Sequence, residues 1–182
     1  MGEAIKRVPS PPGSRDPEQR EAAMAFDQSE FRRVMGHFAT GVTVVTTLDA
    51  EGRPCGLTAN AVSSVSLDPP LVLICVDKKA ETAACFTASG VFTVNVLSEA
   101  QEGLSRRFAK SGPDKFTGVG FRTGSNGAPV LDGVIARIEC RIRQSVDAGD
   151  HTIHVGEAGE IGVEGELDPL LYFRGGYRNL AR

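Results

Sequence analysis

Along this chain the apolar positions change period several times, and alternation dominates. Phe31, Val34, Met35 and Phe38 recur at i, i+3, i+4 and i+7, which predicts one apolar face of a helix. Asp27 stands where an N-cap belongs, Glu30 three residues later completes a capping box, and Gly41 ends the helix. Residues 41–48 (G-V-T-V-V-T-T-L) are rich in β-branched side chains and predict a strand. Residues 49–52 make a hairpin turn, and 53–59 form the return strand. The continuous apolar run 71–76 (L-V-L-I-C-V) predicts a strand buried on both faces. Asp77 then caps a short helix over 81–88, and 91–97 is another strand.

Ser98 with Gln101 forms a second capping box, and Ala100, Leu104 and Phe108 make the buried stripe of the helix that follows. Residues 111–129 carry five glycines and two prolines and read as a long loop, of a length that is uncommon unless functional or mobile. In 134–146 the alternation is clean. Val134, Ala136, Ile138, Cys140, Ile142 and Val146 share one face, with Arg137, Glu139, Arg141 and Arg143 on the other, as in a half-buried antiparallel strand. Ala148 and Gly149 turn the chain into a strand over 151–163, and 169–173 is the last strand, followed by R-G-G-Y-R. Six or seven strands with three short helices result, and no internal repeat. Hairpin-like spacings point to antiparallel pairing. Strand–helix alternation is absent over 130–173, so a mainly β (α+β) barrel with peripheral helices fits better than a layered α/β fold.

The 182 residues suit one domain over 26–182. Residues 1–25, rich in Pro, Gly, Glu and Arg and without an apolar signal region, read as a disordered tail. Net charge is −3, with basic residues scattered, so neither nucleic acid nor an anionic membrane is expected as a partner. No apolar run approaches the ~20 residues of a membrane helix, and the simplest expectation is a soluble cytoplasmic protein. Cys55, Cys75, Cys85 and Cys140 contain no C-x-x-C and sit among apolar neighbours, which reads as core filling in a reducing compartment. Three histidines without a nearby cysteine pair offer no zinc site.

Chemistry is densest at 56–70, G-L-T-A-N-A-V-S-S-V-S-L-D-P-P. Thr58, Asn60, Ser63, Ser64 and Ser66 lie between two strong β runs. Small residues let a ligand approach the backbone, and hydroxyls supply neutral donors for phosphate or heterocycle oxygens. A polar edge strand with solvated hydroxyls is the plain alternative. The chain has no G-x-S-x-G, P-loop or H-E-x-x-H, and no G-x-G-x-x-G opening a helix after a strand, so a Rossmann nicotinamide site is not supported. An organic cofactor is then expected to carry the chemistry.

Five segments in order resemble the short-chain flavin reductase family, the reductase components of two-component flavin monooxygenases. They are F-R-R-V-M-G-H-F-A-T-G-V-T-V-V-T-T (31–47), the 56–70 stretch, R-F-A-K-S-G-P-D-K-F (107–116), G-D-H (149–151) and Y-F-R-G-G-Y-R (172–178). Each alone is weak, but the ordered set is specific. The resemblance implies a split β-barrel of antiparallel Greek-key type, usually a homodimer. It also implies hydride transfer from NADH or NADPH to FMN or FAD, with reduced flavin passed to a separate oxygenase. By resemblance, Thr58, Ala59, Asn60, Ser63, Ser64 and Val65 line the flavin.

The same resemblance makes Cys75 and Val76 cofactor contacts and places Asp77 and Thr82 near the ribityl or phosphate, where a helix N-terminus offers free N–H groups beside Lys78 and Lys79. Arg107, Phe108 and Phe116 are further contacts, with Lys110 and Lys115 nearby, although an arginine at a helix C-terminus also simply complements the dipole. His151 is the catalytic candidate, positioning nicotinamide or flavin. Tyr177 and Arg178 are placed near the rings, the alternative being a tyrosine that pins the tail. His154, on the other face, is read as structural. The absence of a basic 2′-phosphate pocket leans to NADH. Two rival readings are a non-catalytic flavin- or haem-binding split barrel and an oxidase of the pyridoxamine-phosphate type. The G-D-H and R-G-G-Y-R segments argue against the first, and the sparse C-terminal basic residues against the second.

Overall fold

The computed structural model describes residues 27–181. The chain falls into two compact units, Met1–Met35 and Gly36–Arg182, and the expected disordered tail over 1–25 lies outside the described residues. In the first unit, helix α1 (Gln28–Met35) starts where Asp27 Oδ1 accepts the Ser29 backbone N–H at 2.8 Å. Glu30 does not complete a capping box there but pairs with Arg33 one turn on. Phe31, Val34 and Met35 stay about half exposed, and Phe38 lies beyond the helix end.

The second unit is built on a seven-stranded antiparallel sheet in the order β3-β2-β6-β9-β10-β5-β4. These strands are β2 (Thr43–Leu48), β3 (Pro54–Ala59), β4 (Val62–Leu67), β5 (Pro70–Asp77), β6 (Val91–Val96), β9 (Ala136–Ala148) and β10 (His151–Val163). β3 and β4 stand at opposite edges of the sheet, yet only Asn60 and Ala61 separate them in sequence. Such a link reaches about 10 Å at most, so the sheet has to curl until its edges meet. The Cys75 N–H donates to the Ala61 carbonyl at 3.1 Å, which carries the β4–β5 pairing on into the link. The expected split barrel with short peripheral helices follows. The helices here are α2 (Ala83–Ser89), which ends on left-handed Gly90, and α3 (Glu102–Phe108). A 3₁₀ turn, Glu99–Gln101, precedes α3, and there Ser98 and Gln101 close the expected capping box.

Several expectations change. The strand buried on both faces is β2, not β5. Val45 packs into the barrel core with Val72, Ile74, Val76, Phe86, Phe92 and Val94. Its neighbour Val44 packs outside, with Val42, Leu97, Phe108, Leu131, Val134 and Leu170. β5 alternates, burying Val72, Ile74 and Val76 and leaving Leu71, Leu73 and Cys75 half-exposed. The 111–129 segment is not one loop, because β7 (Phe121–Thr123) and β8 (Pro129–Leu131) pair within it. The R-G-G-Y-R segment is also a hairpin: β11 (Leu171–Phe173) pairs with β12 (Gly176–Arg178) and with β1 (Thr40–Gly41).

Ala100 is exposed, and Ser105 is buried beside Phe108. Val146 is exposed, and Glu139 is not on a solvent face but buried. There its carboxylate accepts from the Ser125 N–H (2.6 Å) and hydroxyl (2.7 Å) and pairs with Arg137. Cys55 on β3 and Cys85 on α2 are joined by a disulfide, which corrects the reading of both as free core cysteines. Their Cα atoms lie 6.7 Å apart, a proximity across 30 residues that spacing alone does not reveal. Among the described residues no helix is long and apolar enough to cross a membrane.

Candidate active site

The barrel seam opens into a cavity of about 410 Å³, within the range of small-ligand sites. Three chain segments make its walls. The end of β3 and the 60–61 link contribute Leu57, Thr58, Ala59, Asn60 and Ala61. The end of β5 and the turn into α2 contribute Cys75, Asp77, Lys79, Ala80, Glu81 and Thr82. The end of α3 and the following segment contribute Phe108, Ala109, Lys110, Ser111 and Lys115, and His151 closes the ring from the start of β10.

Each wall has a physical reason. Gly56 lets α3 come close, because a Cβ there would sit 2.8 Å from the Phe108 ring. Thr58 Oγ1 donates to the Ser105 carbonyl at 2.6 Å, tying β3 to α3. Asp77 Oδ1 accepts the Lys79 N–H at 2.8 Å and shapes the turn into α2. Glu81 Oε2 accepts the Gly112 N–H at 2.9 Å, tying that turn to the 109–115 wall. Lys115 Nζ donates to the Gly56 carbonyl at 3.3 Å, and burial pushes its pKa below the usual lysine value. Burial also raises the Cys75 thiol. β5 and β10 pair Asp77 with His151. His151 Nδ1 lies 2.8 Å from Asp150 Oδ1, and this contact holds the Asp150 carboxyl below its ordinary range.

The structure therefore brings Thr58, Ala59, Asn60, Cys75, Asp77, Thr82, Phe108 and His151 together at one cavity. It places the other candidates elsewhere. Ser63, Ser64 and Val65 are exposed on edge strand β4, at a bulge in its pairing with β5. The Val76 side chain points into the barrel core. Arg107 turns away from the cavity and donates to the Thr117 carbonyl at 2.8 Å. Phe116 packs edge-on between Phe108 and Phe121. The Tyr177 hydroxyl bonds Ser105 Oγ at 2.8 Å beneath the Arg106 guanidinium. Arg178 folds back onto the Tyr177 carbonyl. Glu81, Ala80 and Ser111 were not singled out from sequence. Only the approach of two turns across the seam makes them wall residues.

The cavity fits a flavin nucleotide on its own features. Thr82 is 8% exposed, and its Oγ1 is buried without a hydrogen-bond partner. A buried hydroxyl left unpaired is costly, and a ligand oxygen in the cavity would satisfy it. Lys79, Lys110 and Lys115 set three cations around the space against Asp77 and Glu81, which suits a phosphorylated ligand. The small side chains of Ala59, Ala61, Ala80 and Ser111 leave backbone accessible.

The family model described as "Flavin reductase like domain" matches residues 35–181. A probable flavin reductase of Rhizobium meliloti (strain 1021) is 45% identical over 155 residues, 85% of this chain. The chain spans 50% of that relative's length. The reductase subunit HsaB of a flavin-dependent monooxygenase from Rhodococcus jostii (strain RHA1) is 40% identical over 159 residues, 87% of this chain and 81% of that one. Among solved structures, the NADH:FAD oxidoreductase SgcE6 of Streptomyces globisporus C-1027, in complex with NAD and FAD fragments, superposes with a TM-score of 0.80. It shares 42% identity over 85% of this chain and 93% of that one.

Proposed function

This chain belongs to the flavin reductase-like family, and from that premise we propose how it works as an NAD(P)H:flavin oxidoreductase that supplies reduced flavin to a monooxygenase component. The donor is NADH and the acceptor is FMN or FAD, held at the seam cavity as an exchanging substrate. One observation carries the reading: Thr82, whose hydroxyl has no partner, and three lysines line the same cavity, which His151, paired with Asp150, also lines.

When bound, flavin accepts two electrons as hydride from the dihydronicotinamide, chemistry that belongs to the cofactors. The protein's part is to hold, orient and exclude water. Thr82 and the lysines take the phosphate-bearing chain of the flavin. The backbone of residues 58–61 takes its polar ring edge, and Phe108 covers an apolar flank. Asp150 engages His151 through Nδ1, which orients the imidazole at the rim, where it contacts the nicotinamide. Stacking two rings in a fixed relation supplies most of what hydride transfer needs. The working form is a homodimer, consistent with Leu67, Ile161 and Val163, which are exposed on β4 and β10.

Following NADH oxidation at 340 nm with and without added FMN or FAD tests the reading. The expected result is turnover that depends on added flavin and, for His151→Ala, a kcat/KM for NADH lower by about ten-fold or more. Tight flavin binding without turnover would identify a binding module instead.

A further inference from the structure

One residue outside the cavity wall holds the turn that carries His151. Lys78 follows β5 directly. Its backbone N–H donates to the Asp150 carbonyl at 3.0 Å. Its Nζ donates to both Asp147 carboxylate oxygens at 2.9 Å and to the Gly149 carbonyl at 2.6 Å. All four contacts land on residues 147–150, the end of β9 and the turn into β10. That turn depends on left-handed Gly149, φ +67°.

The β5–β10 ladder ends at the Asp77–His151 pair. Beyond this rung one backbone bond, from Lys78 to Asp150, still ties the turn to β5, and the Lys78 side chain reaches on to Asp147 and Gly149. Asp147 is 82% exposed on its side chain and Lys78 38%. A pair this open contributes little to global stability. It does fix a direction: the lysine, at the end of β5, holds Asp147 and Gly149 towards β5. Lys79, on the same turn as Lys78, lies near Asp150 and further lowers its pKa. The titratable groups about this turn thus include Lys78, Lys79, Asp77, Asp147, Asp150 and His151.

We infer that Lys78 is a positioning residue that clamps the 147–150 turn and so sets His151 at the nicotinamide side of the cavity. The inference rests on the reading of His151 given above. Neutralising Lys78 keeps its backbone bond to Asp150 and removes the three Nζ bonds. The turn then loosens around Gly149 and Asp150 orients the His151 imidazole less firmly, while the His151 backbone stays paired with β5 and β9 and the flavin walls at β3, α2 and α3 keep their own contacts.

The test compares Lys78→Met, Lys78→Arg, Asp147→Asn and His151→Ala in flavin-dependent NADH oxidation, with thermal unfolding measured on each. Lys78→Met is expected to raise the KM for NADH about ten-fold and the KM for flavin less than about two-fold, at an unchanged unfolding midpoint. Lys78→Arg restores the wild-type KM, and Asp147→Asn moves it in the same direction as Lys78→Met. The Lys78→Met/Asp147→Asn double variant is no worse than Lys78→Met alone, because the two residues act as one pair. Amide hydrogen exchange over 147–151 speeds up in Lys78→Met. If His151→Ala raises the KM for NADH and Lys78→Met does not, the clamp is overturned while the reading of His151 stands. If neither moves it, both fall. A parallel rise in both KM values with a lower midpoint would make Lys78 merely structural.

Discussion

Thr82 carries the sharpest residue-scale argument. Its hydroxyl is buried without a partner, so the ligand-free protein bears a desolvation cost that bound ligand relieves. Thr82→Val keeps the shape and removes the polar atom. The variant is expected to unfold at the same temperature or slightly higher, while its flavin dissociation constant, measured by fluorescence titration, rises about ten-fold, as for one lost hydrogen bond of roughly 1–2 kcal/mol. A lower midpoint with unchanged flavin affinity would show that the hydroxyl serves the fold. His151 stands out in sequence because of its G-D-H motif, and Thr82 because it opens the helix after a strand. Tyr177 shows the opposite case: its motif points to the rings, yet its hydroxyl meets Ser105. The partner of a tyrosine is chosen by what packs over it, and the sequence around it carries no mark of Ser105.

Among the elements, the long strands were legible and their burial was not. Alternation over 134–146 locates β9, but Glu139 lies inside because the 124–127 turn supplies donors for its carboxylate. Bulges in the β9–β10 pairing shift the register at Val155/Gly156 and again between Ala158 and Glu160, and a shift of one residue exchanges faces. Gly156 is the fixed point of the first bulge. A Cβ there would meet the Phe92 ring at 2.5 Å and Cys140 Cβ at 2.8 Å. Gly156→Ala is expected to cost about 1–3 kcal/mol by overpacking. That corresponds to a midpoint lower by several degrees, at about 2–4 °C per kcal/mol for a domain of this size. Calorimetry showing an unchanged midpoint would mean the two strands can part there at no cost.

At the scale of the whole molecule, two buried groups, His154 and Glu139, contribute to acid stability. His154 is 2% exposed, stacked on Phe86 and bonded to Ser145, and burial holds its pKa below the ordinary 6.5. As pH falls through 6.5 the unfolded chain takes up a proton that the folded one resists. Stability is therefore full above 6.5 and declines below it. For Glu139, burial pushes the pKa up, but hydrogen bonds from Ser125 and Arg137 outweigh it and leave the group below its ordinary 4.5. Its contribution is full above 4.5 and is lost as pH falls through the lowered folded value. Urea unfolding against pH is expected to show a first decline beginning near 6.5, absent in His154→Phe, and a second below 4.5. A wild-type profile level down to 4.5 would remove His154 from this role.

The sequence by itself determined the β-rich class, the two hairpin-forming regions 41–59 and 134–163, and the capping box at Ser98. These follow from local period and side-chain type, which act over a few residues. Only the tertiary structure decided that the sheet closes, since closure rests on a two-residue link between strands at opposite edges. It likewise decided that Cys55 meets Cys85. It also decided that the cavity is walled by 57–61, 75–82 and 108–115 but not by Ser63, Ser64 or Arg107. Such outcomes depend on register and on which distant segments cross the seam, and no run of neighbouring residues encodes either.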